Sequence, residues 1–113
     1  MKAISIKQPW ANLIAEGKKT IETRTWPTNH RGRILIVSSK IPNIAPAGQA
    51  LAIANLTDCR RMKRGDEDAA KCPWCPELYS WILSGVVRIR PFPVKGRPGI
   101  YETEERSYTL KGN

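Results

Sequence analysis

Acidic residues are scarce in this 113-residue chain: ten Asp and Glu stand against nineteen Lys and Arg. Histidine occurs once, at His30, and no Ser-His-Asp set, glycine-rich phosphate loop or pair of metal-binding carboxylates stands out. No apolar run approaches the roughly 18–20 residues of a membrane span, so no membrane partner is expected. The start, Met1 to Lys7, alternates with polar residues and lacks the apolar stretch of a signal peptide. A cytoplasmic location is expected on that ground. Cysteines number three, Cys59, Cys72 and Cys75, and an odd count argues against a disulfide framework. Internal repeats and low-complexity tracts are absent.

What is present suits one soluble globular domain with a modest core. Apolar residues make up 41% and charged residues 26%, outside the range of disordered chains. The net charge of +9 is unevenly spread. Residues 1–40 carry +6, residues 41–80 carry zero and residues 81–113 carry +3. A basic face of this kind favours phosphate-bearing partners and makes binding salt-dependent. A solvated surface tuned for solubility is the alternative.

The densest charge lies in Gly17-Lys18-Lys19-Thr20-Ile21-Glu22-Thr23-Arg24, where a short helix hands over to a strand. Ala3 to Lys7 alternates as a strand. Pro9 fits a first helical turn. Trp10, Leu13 and Ile14 share one helical face, and Gly17 is placed to end the helix. Lys19 to Thr25 is Thr- and Ile-rich and reads as a strand. Arg33 to Ser39 reads as a strand buried on both faces, through Ile34 to Val37. Lys40 to Gly48 is loose, with room for one helical turn, and Ala50 to Leu56 is a further strand. Residues 60–76 read as a charged surface insertion, and Glu77 to Leu83 as a short helical turn. Val86 to Val94 alternates, but Pro91 and Pro93 confine it to an edge or a bulge. Ile100 and Tyr101 close a last strand. The domain is placed at 1–101, with a polar tail at 102–113 that is either a last strand or frayed. Short strands with one early helix lack the alternation of a doubly wound sheet. They fit a mainly β fold with helices (α+β), a small β-barrel or half-barrel.

Ser5-Ile6-Lys7-Gln8-Pro9-Trp10-Ala11, then Gly17, Lys19, Glu22, Arg24 and Trp26, then Arg31-Gly32, then Ile36-Val37-Ser38-Ser39-Lys40 resemble the ASCH (activating signal cointegrator homology) family. Trp81-Ile82-Leu83 and Pro91 through Gly96 resemble its closing strands. The resemblance covers roughly residues 4–101. It implies a PUA-like fold, a small β-barrel with short helices around its openings, and work on RNA or other nucleic acids. Some members of that family are binding modules. Others are small hydrolases that deacylate N4-acylated cytosine nucleosides, and ribonuclease activity has been attributed to a member. In the amidohydrolases the lysine matching Lys19 is catalytic. The position matching Glu22 is a catalytic threonine, and a later glutamate completes the set. Glu22 is therefore a departure, and Asp58 and Glu77 are the nearest candidates for the later acid.

Lys19 and Glu22 are the candidate catalytic residues if the chain is an enzyme. Burial lowers a lysine pKa and a carboxylate partner raises it. The first outcome makes Lys19 a base or nucleophile, and the second an anion or carbonyl ligand. Glu22 and Arg24 share a strand face, whereas Lys19 has the opposite parity, so convergence requires Lys19 to sit in a turn or before a bulge. A surface ion network is the alternative for all three. Trp10 and Trp26 are candidates for stacking on a base, with core packing the favoured role for Trp10. Arg31, Lys40 and Lys95 are candidate phosphate contacts. Ser38 and Ser39 are candidate cleft hydrogen-bond donors or strand-end caps.

Cys72-Pro73-Trp74-Cys75 has the spacing of half a zinc site or of a redox pair. It is similar to the glutaredoxin dithiol, but the strand–helix frame of that fold is missing. With only Cys59 and His30 left as further ligands, no metal is expected and no cofactor is implied; packing of the insertion is the favoured role. The expected partner is RNA, a nucleotide or a modified nucleoside, bound by a monomer in a basic cleft. The rival readings are a small hydrolase using Lys19 and Glu22, and a protein-interaction module.

Overall fold

The computed structural model describes residues 1–104 and 106–111. The elements are β1 (Lys2–Ile6), α1 (Trp10–Ala15), β2 (Ile21–Arg24), β3 (Gly32–Ser38) and β4 (Gln49–Arg61). A 3-10 turn (Arg64–Asp66) and α2 (Glu67–Ala70) follow, then β5 (Tyr79–Pro93) and β6 (Ile100–Glu102). All six strands form one sheet in the order β2-β5-β4-β3-β1-β6. The β1–β3 pair is parallel and the other pairs are antiparallel. Mainly β with short helices is the expected class, and the sheet is a curled half-barrel. No helix among the described residues is long and apolar enough to cross a membrane.

Curl is imposed by the long central pair. β4 and β5 run 13 and 15 residues, and their register shifts between Ala50 and Ala52, Ile53 and Asn55, and Leu56 and Asp58. Each irregularity bends and twists the strands. The consequence is visible at the ends of the sheet. β2 and β1 stand four strand spacings apart, about 19 Å in a flat sheet. Yet Arg24 on β2 donates from Nη2 to the Ser5 carbonyl of β1 at 3.0 Å.

Ile34, Leu35, Ile36 and Val37 are all buried, because both faces of β3 are covered. On one face Ile34 and Ile36 join Ile4, Ile6, Leu56, Trp81 and Leu83, closed by Ala11, Ile14 and Ala15 of α1. On the other, Leu35 and Val37 join Ala3, Ala50, Ile89 and Tyr101, with Phe92 and Tyr108 packed alongside. The buried stripe of α1 is therefore Ala11, Ile14 and Ala15, rotated by one position from the expected Trp10, Leu13 and Ile14. Trp10 is left 39% exposed.

Two local expectations are corrected. Residues 79–83 are strand, not a helical turn, because β2 and β4 both supply ladder partners to Tyr79 through Ile82. The expected bulge in 86–94 is present: the β4–β5 register shifts between Ala50, opposite Phe92, and Ala52, opposite Arg88, around Pro91, and β2 pairs with β5 only from Tyr79 to Ile82. The proline-bearing half of β5 is tolerated because it pairs with β4 only through Phe92 and Pro93 after a register shift. The other side of that half takes the tail: Arg90 N–H donates to Thr109 O, Lys111 N–H donates to Arg88 O, and Tyr108 stacks on Phe92. Residues 105, 112 and 113 of that tail lie outside the described residues. The segment 40–48 has bends and turns but no helix.

The insertion at 60–76 is not merely superficial. Met62 and Ala70 are buried with Ile21, and Cys72, Trp74, Leu78 and Ile82 pack around them. Asp66 locks this module down. Its carboxylate accepts from Arg60 Nη1 and Nη2 at 2.7 and 3.0 Å, from Lys63 N–H at 2.9 Å and from Ser80 Oγ at 2.9 Å. The paired Arg60 guanidinium is the main cause that holds the Asp66 pKa well below the carboxylate range. That stabilisation is complete above the unfolded pKa of about 3.9, and is withdrawn as the pH falls toward the lower folded value. Asp66→Asn should therefore lower the unfolding free energy by about 2–4 kcal/mol at pH 7. The difference from wild type should shrink below about pH 4, where the unfolded-state carboxyl protonates. Urea unfolding of both proteins at the two pH values measures it, and equal stability at pH 7 would refute the role assigned to Asp66.

Candidate functional site

The helix-to-strand junction is built by a C-terminal turn of α1. Gly17 has a φ of 77°, Gly17 N–H donates to Ile14 O and Lys18 N–H to Leu13 O, which is a Schellman motif. Lys19 N–H also reaches Leu13 O. The chain leaves this turn outside any ladder, so the strand parity that separates Lys19 from Glu22 does not apply to it. Lys19 is only 2% exposed. Its Nζ donates to the Ala70 carbonyl and stands 3.7 Å from Glu22 Oε1.

Glu22, cross-strand from Trp81, is itself buried. Its Oε2 accepts from Arg24 Nε at 2.9 Å. One carboxylate thus serves two cations, and Arg24 is anchored at Ser5 O as well. The trio carries a net single positive charge in a largely dehydrated place. Burial is the largest influence on Lys19 and pushes its pKa below the ordinary lysine value; Glu22 and then Cys72 act in the opposite direction.

These groups line a cleft of about 390 Å³ with Ser5, Ile6, Lys7, Trp10, Thr23, Ser39, Ala70 and Cys72. That volume falls within the usual range of small-ligand sites. Trp10 stands at its rim. The Gln-Pro-Trp motif fixes that tryptophan. Buried Gln8 accepts Asn12 N–H at its Oε1 and donates from Nε2 to Asn12 Oδ1 and Ser38 Oγ, each at 3.0 Å. It ties the first turn of α1 to the end of β3.

Ser5 and Ser39 also line an adjoining hollow of about 560 Å³, with Ser38, Lys40, Ile41, Val94, Lys95 and Arg97 around it. Lys7, Lys40, Lys95 and Arg97 form no ion pair among the described residues. They make a basic shelf beside the cleft. Ser38 is fully buried and bonded to Gln8, so the serines shared by both hollows are Ser5, whose Oγ is bonded to Tyr101 OH, and Ser39.

Other sequence candidates lie elsewhere. Trp26 packs edge-on against Trp81, ring centroids 4.8 Å apart, and its carbonyl accepts from Trp81 Nε1; it is not among the cleft-lining residues. Arg31 precedes the opposite end of β3, about 25 Å of strand away from Ser39. It bonds Thr28 O and His30 O and faces Asp58 Oδ1 at 3.8 Å. Asp58 and Glu77 are exposed and do not line the cleft. Among the cleft-lining residues Glu22 is the one carboxylate. Cys59, Cys72 and Cys75 are free thiols, and no group of three metal-ligating side chains occurs among the described residues. Sequence reading singled out neither Lys7 nor Thr23, nor the entry of Ala70 and Cys72 from the module. Lys7 was legible as part of the Ser5–Ala11 motif, whereas the others depend on long-range packing.

The ASCH domain family model matches residues 4–106. Activating signal cointegrator 1 of Homo sapiens is 27% identical across 91% of this chain, and that of Mus musculus is 27% identical across the same share. The chain spans only 22% of the length of either relative. A crystal structure of ASCH from Zymomonas mobilis superposes with a TM-score of 0.66 at 17% identity, covering 92% of this chain and 87% of that one. Two point-mutant structures of ZmASCH from the same organism reach 0.68 at 16% identity, covering 92% of this chain and 90% and 88% of theirs. At such identities these structures attest the fold alone. Since the family model spans nearly all of the sequence, the chain belongs to the ASCH domain family.

Proposed function

We propose that this domain binds RNA, or a nucleotide, with a base in the cleft and phosphates on the neighbouring shelf. The observation that carries the reading is the contiguity of the two hollows. The Lys19–Glu22–Arg24 trio, with Lys19 and Glu22 buried, lines one, and Lys40, Lys95 and Arg97, which form no ion pair among the described residues, line the other. Phosphate contacts supply affinity without sequence information, and base edges supply specificity. Glu22 suits acceptance of an exocyclic amine, and Lys19 suits donation to a ring carbonyl or an anionic oxygen. Arg24 holds Glu22 and the β1 backbone in place. Exposed Trp10 supplies a stacking face worth about 1–3 kcal/mol per base. Trp26 and Arg31 have no direct part in this reading.

Fluorescence anisotropy with a labelled single-stranded oligoribonucleotide tests it. Log affinity should fall linearly with log salt, and Lys40→Gln with Lys95→Gln should reduce the slope by about 0.7 per lost phosphate contact. No retention of any RNA or nucleotide at low salt would overturn the reading.

Lys19 separates a binding role from a structural one. Its folded pKa is lowered, so its charged form is penalised by folding; that penalty is full below the folded pKa and disappears above the unfolded value of about 10.4. Lys19→Met should stay within about 1 kcal/mol of wild-type stability at pH 7, because Glu22 keeps Arg24 and an unfavourable burial is removed. Ligand affinity should nevertheless fall by about tenfold or more, the loss of roughly one charged hydrogen bond. For an anionic ligand, wild-type affinity should decline with rising pH before the ordinary lysine range near 10.4 is reached. A variant that instead loses several kcal/mol of stability would make Lys19 a structural residue.

A hydrolase reading draws on one observation, a buried amine of lowered pKa beside a carboxylate. Its substrates would be N4-acylated cytidine or RNA, with Lys19 as base or nucleophile and Glu22 as partner. Among the described residues lining the cleft, no second carboxylate stands where the amidohydrolase pattern uses a later acid. Turnover of N4-acetylcytidine or single-stranded RNA that disappears in Lys19→Ala is its expected outcome. No turnover of either at micromolar enzyme would remove it.

A further inference from the structure

The C-x-x-C segment is the one motif that the binding reading leaves unused, and it touches the same cleft. Cys72 lines the cleft, with its Sγ 3.7 Å from Thr23 Oγ1. Lys19 is close enough for the two to interact electrostatically. Cys75, three residues on, donates its S–H to Glu77 Oε2 at 2.6 Å. Both thiols are free and half-buried. Residues 71–78 belong to no strand or helix, so no ladder resists closure of a local ring. Only two residues earlier, Ala70 supplies the carbonyl that holds Lys19 Nζ.

We propose that Cys72 and Cys75 form a reversible disulfide that controls the cleft by moving the Ala70–Cys72 wall away from Lys19. This inference rests on the cleft being the ligand site, but its chemistry is independent of what binds there. The oxidant is a small disulfide, RSSR. The Cys72 thiolate attacks one sulfur, forming a mixed disulfide and expelling RS⁻, which takes up the proton that Cys72 gave to solvent. Cys75 then attacks the Cys72 sulfur and expels the second RS⁻, which takes up the Cys75 proton by way of Glu77. Two protein thiols become one disulfide, and one RSSR becomes two RSH.

The order of attack has a physical basis. The Glu77 carboxylate that accepts its S–H pushes the Cys75 pKa above the usual thiol value, which keeps it protonated and makes it the resolving partner. Cys72 is half-exposed, lines the cleft and lies within electrostatic reach of Lys19, so it is the thiol that a small disulfide entering the cleft meets. Closing the ring draws Sγ of Cys72 toward Cys75 and away from Thr23. Trp74 cannot follow freely, since its indole N–H is bonded to Met62 O, its backbone N–H to Glu67 and its ring lies under Arg64. The displacement therefore falls on the Ala70–Cys72 side.

Oxidised glutathione or an equivalent small disulfide, removed after treatment, provides the test on the full chain. Intact mass and peptide mapping should show loss of two hydrogens and a Cys72–Cys75 linkage in wild type, and none in Cys75→Ser. Lys19 acylation by a small anhydride, read by peptide mass, should rise by about fivefold or more in the oxidised protein and return on reduction. RNA affinity should change by a comparable factor. An unchanged Lys19 labelling rate in fully oxidised protein, or failure to form the linkage, would overturn the switch. Loss of RNA binding in both redox states with labelling still responsive would overturn the ligand reading alone.

Discussion

One buried carboxylate, Glu22, holds the candidate site together. Its two oxygens face Lys19 and Arg24, and each cation extends the link to a different part of the fold. Lys19 reaches the module at Ala70, and Arg24 reaches β1 at Ser5. The cleft is the space these three attachments leave open. Such a trio is a poor choice for stability alone, because dehydrating charges costs about as much as their attraction returns. Its value lies in fixed polarity: a donor and an acceptor set at a cavity wall, with one positive charge in excess. That is the requirement for preorganised recognition of a polar or anionic group.

Charge is deployed differently in the rest of the chain. Asp66 uses its carboxylate on Arg60, Ser80 and the Lys63 backbone, binding the 62–78 module to the sheet. Arg61 and Arg64 lie over Tyr79 and Trp74, and Glu102 pairs with Lys2 and the N-terminal amine. Among the described residues, Lys7, Lys40, Lys95 and Arg97 beside the cleft form no ion pair. The buried acids Glu22 and Asp66 serve internal fastening, and the shelf is left with an excess of positive charge. Weak screening at low ionic strength extends that field well beyond contact distance.

The same module that completes the cleft wall also carries the Cys72 and Cys75 thiols. Ala70 and Cys72 enter the site from a segment joined to the sheet by Met62, Trp74 and Ile82 packing. A wall fastened by side chains rather than by a strand ladder can shift without unpairing the sheet. This division lets β2 and β1 stay fixed while one side of the cleft responds to the state of its thiols.

How much of this was written in the sequence differs by element. The continuous apolar run of β3, the glycine that ends α1 and the Lys-Glu-Arg grouping were legible because each depends on local spacing. The alternation of β1 and the turn at Gly17 follow from backbone sterics and side-chain period alone. Residues 79–83 were misread because their strand character comes from partners more than 15 residues away in β4 and, for 79–82, more than 50 away in β2. Trp10 and Trp26 looked alike in composition, yet one stands at the cleft rim and the other packs on Trp81. Arg31 and Lys40 flank the same strand and so end at opposite ends of it. The sequence by itself determined a basic, mainly β domain of a recognisable family, with its polar charges gathered at one helix–strand junction. Only folding revealed which residues enclose those charges, because Ser5, Ser39, Ala70 and Cys72 reach them through closure of the sheet and packing of the module, and their spacing along the chain carries no trace of it.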